Sequence, residues 1–307
     1  MTGKTKNATA SPELKKNLKE DAHTDKKGAH VLSFPITSPF DAVYRKDSPA
    51  SPVGPHSHNG VELYFTLSDL PDVLLNDTVS KVPAGTLIII PPFCVHQLYH
   101  EAGTVYERYV LSINTSWLDA VFCENTEVFS YLKQSTVPLL LTPDTESKDC
   151  LLHHLRTLSS SSDSFSPKAL ANLFLFLEVL NETVNRLAPE SNRAFPISST
   201  QKNINDMIAY IREHINEPLT VTDLSKHFYL HPDYLSRLFK KHTHTTVSRY
   251  ITLQKTATAQ SLLRDGHTVA EVQEALSYSS YAYFFKTFQK NTGISPSKYR
   301  AQYFRQE

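Results

Sequence analysis

At 307 residues, with 40 % hydrophobic residues and 31 Lys and Arg balanced by 31 Asp and Glu, the chain is long enough for two domains, each with its own core. No run of about 18 apolar residues occurs, so no membrane-spanning helix is expected, and residues 1–29 are too rich in Lys, Thr, Asn and Asp to read as a secretion signal. Three scattered cysteines, Cys94, Cys123 and Cys150, without Cys-x-x-Cys spacing, argue against a disulfide framework or a structural zinc site and suit reduced thiols in a cytoplasm.

In chain order, residues 1–29 read as a polar, mobile arm in which Leu14 and Leu18 supply at most one helical turn. From there to Ile113 the pattern is one of short extended runs, at residues 31–34, 40–44, 61–65, 86–90 and 106–113. Pro, Gly and Asp clusters separate them, which predicts a small antiparallel barrel or jelly roll. Inside it stand His56, His58 and Glu62, then Pro91-Pro92-Phe93-Cys94-Val95-His96. This set is similar to the two cupin motifs, with Phe93 in the place of a Gly on the turn that presents His96. In metal-binding cupins the corresponding three histidines and one glutamate are the ligands, and imidazole with carboxylate suits Zn, Fe, Mn, Ni or Cu. The same groups can line a pocket for an organic effector, or be structural. Tyr64 and Arg108 are further pocket candidates; Arg108 can meet a ligand carboxylate or phosphate, or pair with a neighbouring Glu.

After Trp117 the helical period returns. Trp117, Leu118, Val121, Phe122, Val128 and Phe129 are placed to cover the barrel, and Leu151, Leu152, Leu155 and Leu158 make a short amphipathic helix ended by serines 159–162. Residues 170–187 follow, with Leu170, Leu173, Phe174, Leu177 and Leu180 on one stripe and Leu175, Phe176 and Val179 widening it. A helix apolar over so much of its circumference needs two surfaces to bury against, so a homodimer through this helix is expected, unless one subunit covers both faces. Residues 188–200, with Pro189 and Pro196, read as an interdomain linker.

The final hundred residues write one plan twice. Thr220 and Asp223 form an N-terminal cap, Leu224 and Phe228 an inner face, and Pro232 opens a second helix with Tyr234, Leu235, Leu238 and Phe239 turned inward. That leaves Asp233, Ser236, Arg237 and Lys240 outside. The second copy starts at Thr268 with Val269, Val272 and Leu276, turns at Ser277-Tyr278-Ser279, and continues with Phe284 and Phe288 inside and Tyr281, Ala282, Phe285 and Lys286 outside, stopping at Gly293. Val247, Tyr250, Ile251, Ala259, Leu262 and Leu263 fit one long connecting helix that ends near Gly266 and holds the copies apart. Residues 201–307 carry 14 Lys and Arg against 9 Asp and Glu, whereas residues 1–200 carry 17 against 22, so the balanced total hides a basic end.

The run Tyr234-Leu235-Ser236-Arg237-Leu238-Phe239-Lys240-Lys241, then Tyr250, Ala259 and Leu262-Leu263, then Tyr283-Phe284 and Phe288, and Thr292-Gly293-Ile294-Ser295-Pro296-Ser297-Lys298-Tyr299-Arg300 resembles the DNA-binding domain of the AraC/XylS transcription regulators. Against the family's usual pattern the chain has His244 for Gly, Ser225 and Gln273 for Ala, Ser277-Tyr278 for Gly-Phe, Lys255 for the linker-helix Arg and Lys286 for the Arg of the second reading helix. The resemblance implies an α+β protein of two domains: an arm (1–29), a cupin-like effector-binding and dimerisation domain (30–187), a linker (188–200) and a double helix-turn-helix domain (201–307, with units at 220–243 and 268–292). It further implies a bacterial, non-enzymatic cytoplasmic regulator that binds an operator duplex, takes a small-molecule effector such as a sugar at His56, His58, Glu62, Tyr64, His96 and Arg108, and meets RNA polymerase if it activates. Arg237 is then expected on guanine, Ser236 on either base edge, Asp233 on cytosine or as a repulsive group against poor sites, and Phe285 with Ala282 toward thymine methyls, with Tyr281 on the same DNA-facing side. Lys240, Lys241, Arg249, Lys286 and Lys290 are expected on phosphates. Two other readings stay open: a metal-dependent cupin enzyme or metal sensor fused to a DNA-binding domain, and a constitutive dimeric DNA-binding protein.

Overall fold

The computed structural model describes residues 33–34, 36–47, 54–76, 78–98, 104–122, 132, 137–161, 166–191 and 199–303. The arm with Leu14 and Leu18, Cys123, Val128, Phe129 and linker residues 192–198 lie outside the described residues.

The front half is two sheets face to face. One has five strands, β2 (Phe40–Asp47), β4 (Gly60–Thr66), β7 (Leu87–Ile90), β9 (Tyr106–Asn114) and β10 (Leu139–Leu141), in the order β10-β7-β4-β9-β2 and all antiparallel. The other has three, β6 (Thr78–Val82), β5 (Leu70–Leu75) and β8 (His96–Leu98), and a short parallel pair joins β1 (Ser33–Phe34) to β3 (Ser57–His58).

Period-two alternation sorts the side chains of the larger sheet. Val61, Leu63, Phe65, Leu87, Ile89, Leu111 and Ile113 point to one side and join the core made with helices α1 (Thr115–Phe122), α2 (Thr145–Ser159) and α3 (Pro167–Ser191). Their neighbours Glu62, Tyr64, Ile88, Ile90, Arg108, Val110 and Ser112 point the other way, where the apolar ones pack on Val73, Leu75, Val82 and Leu98 of the smaller sheet. At Gly60 a Cβ would lie 2.5 Å from the Ile113 carbonyl oxygen, so only glycine lets β4 start this close to β9.

Helix α3 corrects the expected dimer seam. Leu173, Leu177 and Leu180 are fully buried in the subunit's own core, and Leu170 packs against it, because α2 and the outward face of the larger sheet leave an apolar surface that this stripe covers. Among the described residues of α3, the large apolar side chains left facing outward are Phe174 and Leu175, at 40 % and 55 % exposure. The helix also runs past Leu187 to Ser191, into the stretch read as linker.

The remaining helices are α4 (Ser199–Glu213), α5 (Val221–His227), α6 (Pro232–Thr243), α7 (Val247–Arg264), α8 (Val269–Ala275), α9 (Tyr281–Thr292) and α10 (Pro296–Ala301). Helices α5 and α8 each start with a full capping box, Thr220 with Asp223 and Thr268 with Glu271. Pro232 occupies the first turn of α6, and Gly293 closes α9 at φ 79°. His244 caps α6 at φ 50°, which explains the family's glycine there: this chain holds a residue with a full side chain in a left-handed conformation. Leu224, Leu235, Phe239, Val272, Leu276, Phe284 and Phe288 are buried, as their spacing predicts. Tyr234 is not turned inward. It is 49 % exposed, since Leu235 and Phe239, one turn apart, already fill the contact with α5 and the tyrosine sits about 100° round the helix from them.

The two halves share a core. Leu74, Val79 and Val95, on the outer face of the smaller sheet, and Phe93 pack with Tyr250, Ile251 and the other buried residues of the helical half. Polar contacts fasten the same seam: Val79 N–H, on an edge strand, donates to Asn205 Oδ1 at 2.9 Å, Tyr250 OH donates to the Asn76 carbonyl, and Asn59 Nδ2 donates to Tyr303 OH at 3.2 Å.

Candidate nucleic-acid interface and barrel cluster

Helix α6 has a buried edge and an open one. Asp233, Arg237, Lys240 and Lys241 are exposed and Ser236 half-buried, with the N-cap His231 Nδ1 3.7 Å from Asp233 Oδ2. Helix α9 repeats this with Tyr281, Ala282, Lys286 and Lys290 exposed and Phe285 half-buried. Arg249 is exposed at the start of α7. The sequence reading missed Tyr283, 55 % exposed next to Ala282, and Tyr229, 95 % exposed at φ 53° in the turn between α5 and α6. For Tyr283 the signal was available, since a tyrosine beside the inward-facing Phe284 on one helix has to point elsewhere.

Between the two units runs α7, 18 residues and so about 27 Å long. Its middle is fastened to both: buried Lys255 donates from Nζ to the Leu276 carbonyl at 2.7 Å, in the turn of the second unit, and to the Glu217 carbonyl at 3.1 Å, just before the first. The same ammonium lies 5.4 Å from the centre of the Tyr278 ring. Burial lowers the Lys255 pKa.

In the barrel the predicted polar residues do come together. Glu62, on the inner face of β4, accepts from His58 Nε2 at 3.0 Å and from His96 Nε2 at 3.1 Å, both on the same oxygen, Oε2. Ser112 Oγ donates to the other oxygen at 3.4 Å, and Tyr64 hydrogen-bonds the carboxylate too. Ligand atoms of His56, Glu62 and His96 all lie within 4.8 Å of one another. Backbone pairing sets this up, because His56 and His96 exchange N–H···O bonds across an isolated bridge and β4 brings Glu62 opposite both loops.

Each imidazole is oriented by a backbone carbonyl on Nδ1: Gly54 for His56 at 3.0 Å, Gly60 for His58 at 2.8 Å and Cys94 for His96 at 3.0 Å. A carbonyl only accepts, so each Nδ1 carries a proton. Burial raises the cost of the Glu62 charge, yet the imidazoles of His58 and His96 hold its carboxyl well below the usual range. Burial, with His96 nearby, pushes His56 down to about 3. Burial first, and then the Glu62 charge, push the Tyr64 hydroxyl well above its ordinary value, so it stays a donor. Arg108 is buried on the same inner face, close enough to Tyr64 for its charge to act there. The neighbouring Glu107 is held instead by Lys46 at 2.6 Å.

Phe93 does not crowd the histidines. It takes φ 60°, the left-handed conformation for which the motif's glycine is suited, and its ring turns to the helical half, 4.9 Å beneath the Arg264 guanidinium.

Comparison with known proteins agrees with this architecture. Residues 42–177 match the AraC-like ligand binding domain family and residues 224–302 a helix-turn-helix domain family. The chain is 24 % identical over 254 residues to the HTH-type transcriptional regulator YfiF of Bacillus subtilis, covering 81 % of this chain and 79 % of that protein. It is 23 % identical over 257 residues to the Msm operon regulatory protein of Streptococcus mutans, covering 81 % and 87 %. Among solved structures, ToxT from Vibrio cholerae aligns over 86 % of this chain and 98 % of its own, with a TM-score of 0.36 and 12 % identity. A sheet-rich ligand-binding domain followed by a helical DNA-binding domain defines a transcription regulator. The chain belongs to the AraC family. No helix among the described residues is long and apolar enough to cross a membrane.

Proposed function

We propose that this chain is a ligand-responsive, sequence-specific regulator whose helices α6 and α9 enter successive major grooves of one operator duplex. The observation that carries this is the pair of capped helices with open basic faces on opposite ends of one buried, pinned helix, α7. Successive major-groove faces recur about every 34–36 Å, and a fixed rod is what keeps two readers in step with them. Arg237 donates to guanine, Ser236 and Asp233 read neighbouring edges, and Tyr281, Ala282 and Phe285 meet thymine methyls. Lys240, Lys241, Arg249, Lys286 and Lys290 hold phosphates and set position without choosing sequence.

Control comes from the cluster of His56, His58, Glu62, Tyr64 and His96, with Arg108 on the same face. A ligand there changes which arrangement of the shared core is populated, and only a ligand with different affinities for the two arrangements can do so. The subunit pairs with a second copy through Phe174 and Leu175, acts in the bacterial cytoplasm, carries out no catalysis, and meets RNA polymerase where it activates. Its sensor spans about residues 30–187 and its DNA-binding domain residues 201–307. The test is selection of duplexes from a random pool by the full chain, followed by footprinting. Two protected major-groove segments on one side of the duplex are expected; retention of every sequence equally would overturn the reading.

A further inference from the structure

Resting on the reading of α6 as a helix that enters the major groove, we infer that Tyr229, in the turn between α5 and α6, donates a hydrogen bond from its hydroxyl to a phosphate at the edge of that groove.

The turn is a helix stop of the kind that favours glycine. Leu230 N–H donates to the Ser225 carbonyl at 3.0 Å and Tyr229 N–H to the Lys226 carbonyl at 3.3 Å, the paired closure whose inner residue is left-handed. Tyr229 takes φ 53° there, a conformation that costs any residue carrying a Cβ. Packing returns almost nothing for that cost, since the residue is 95 % exposed. Its flanks are held: Phe228 and Leu230 pack against the core, and the His227 ring stacks on Tyr210 with centroids 3.9 Å apart. Fixed neighbours of this kind keep a strained residue in place, so the ring is presented to solvent ready for a partner.

The second unit shows the same position put to a different use. Ser277 is left-handed at φ 48° and closes the same two bonds, Tyr278 N–H to the Gln273 carbonyl and Ser277 N–H to the Glu274 carbonyl. Its hydroxyl donates to the Asn216 carbonyl at 2.6 Å, so this side chain ties the second unit to the lead-in of the first. Tyr229 makes no such tie with the fold, and its hydroxyl is left for something outside the protein.

Docking geometry says what that is. In a helix-turn-helix the first helix crosses the phosphate backbone and the leading end of the second enters the groove, so the turn between them passes over the strand that edges the groove. Exposed Lys226 and His227 precede the turn and exposed His231 and Arg237 follow it, against exposed Asp233, which suits a phosphate. A tyrosine adds a rigid arm with two rotatable bonds and a neutral donor at its tip.

The experiment compares the full-length parent with Tyr229→Phe and Tyr229→Gly on a selected operator, by equilibrium binding at several salt concentrations and by thermal melts. Tyr229→Phe removes only the hydroxyl, and affinity should fall about 10-fold, by one factor on every operator variant that the parent binds. The salt slope should keep the parent's value, because a hydroxyl neutralises no phosphate charge; a lysine contact would change the slope. Tyr229→Gly should bind at least as weakly as Tyr229→Phe and yet melt about 2 °C higher, because glycine is at ease at this φ. Parent-like affinity in Tyr229→Phe, or a loss confined to particular base pairs, would overturn the phosphate contact. Parent-like affinity with lost transcription activation would assign the ring to a protein partner, and a lower melting temperature in Tyr229→Gly would make it a support of the fold; either result overturns the inference. A parent that binds while both variants match it sinks Tyr229 alone, whereas a parent that binds no duplex sinks the reading of α6 and this inference with it.

Discussion

Replacing Lys255 with Met keeps the side-chain length that packs α7 and removes the charge that joins the two units. The lost interactions are two ammonium hydrogen bonds, to the carbonyls of Leu276 and Glu217, each worth about 1.5–3 kcal/mol. Relief of the cost of burying an ammonium offsets part of this, leaving a net loss of about 2–4 kcal/mol. For a unit of this size that lowers the melting temperature of the helical half by roughly 10–20 °C. Calorimetry of the full chain checks it, with hydrogen exchange around Leu276 reporting where the opening occurs. The pH dependence has a definite sign. Burial lowers the Lys255 pKa from 10.5, so between the lowered value and 10.5 the unfolded chain holds a proton that the folded chain lacks. Stability therefore rises with pH across that window, and the gap between parent and Lys255→Met widens with it. A melting temperature within about 2 °C of the parent, and no local change in exchange, would refute the clasp.

Leu175→Asp should convert dimer to monomer in sedimentation while leaving the melt nearly unchanged, whereas Leu173→Ala should cost about 2–5 kcal/mol without changing the association state; the reverse pattern would return the dimer seam to the buried stripe. Arg237→Ala should relax preference at one base pair at a cost of about 1–3 kcal/mol, and Lys286→Ala should weaken all sequences alike and reduce the salt slope by about 1. An unchanged profile over all single-base operator variants would remove Arg237 from readout. Hydrogen bonds from their capping threonines hold Asp223 and Glu271 below their ordinary values of 3.8 and 4.5. Their contribution is complete above those values and is lost as pH falls below them. Acid melts of Asp223→Asn and Glu271→Gln should therefore converge on the parent as pH falls through the lowered carboxyl values; a constant offset at every pH would contradict the charged half of the caps.

What could be read from residues alone was mostly local. Capping boxes, Pro232, Gly293 and the Phe284–Phe288 spacing name a helix and its inward face within a few residues, and the structure has them so. Strands β5 and β6 went unread, since Pro71 and Asp72 look like a break and Thr78–Val82 mixes polar with apolar residues; their order comes from pairing with each other and with β8. The stripe on α3 was seen but its partner was not, because periodicity identifies an apolar face without saying what covers it. For the same reason nothing marked Leu74, Val79 and Val95 as the seat of the DNA-binding domain. The histidines and Glu62 were legible as a set. The carbonyls that fix their protons were not, because a backbone oxygen has no letter in a sequence.

The central claim, that two basic helix faces are held in step with one duplex, is most directly tested by changing the spacing in a selected operator. Inserting about five base pairs between the two half-sites turns the second groove to the far side of the duplex. The account predicts that affinity falls by at least about 100-fold and stays low when about ten base pairs are inserted, because a connecting helix of fixed length cannot span a second duplex turn. Undiminished affinity at five base pairs, with both half-sites still protected in the footprint, would contradict it.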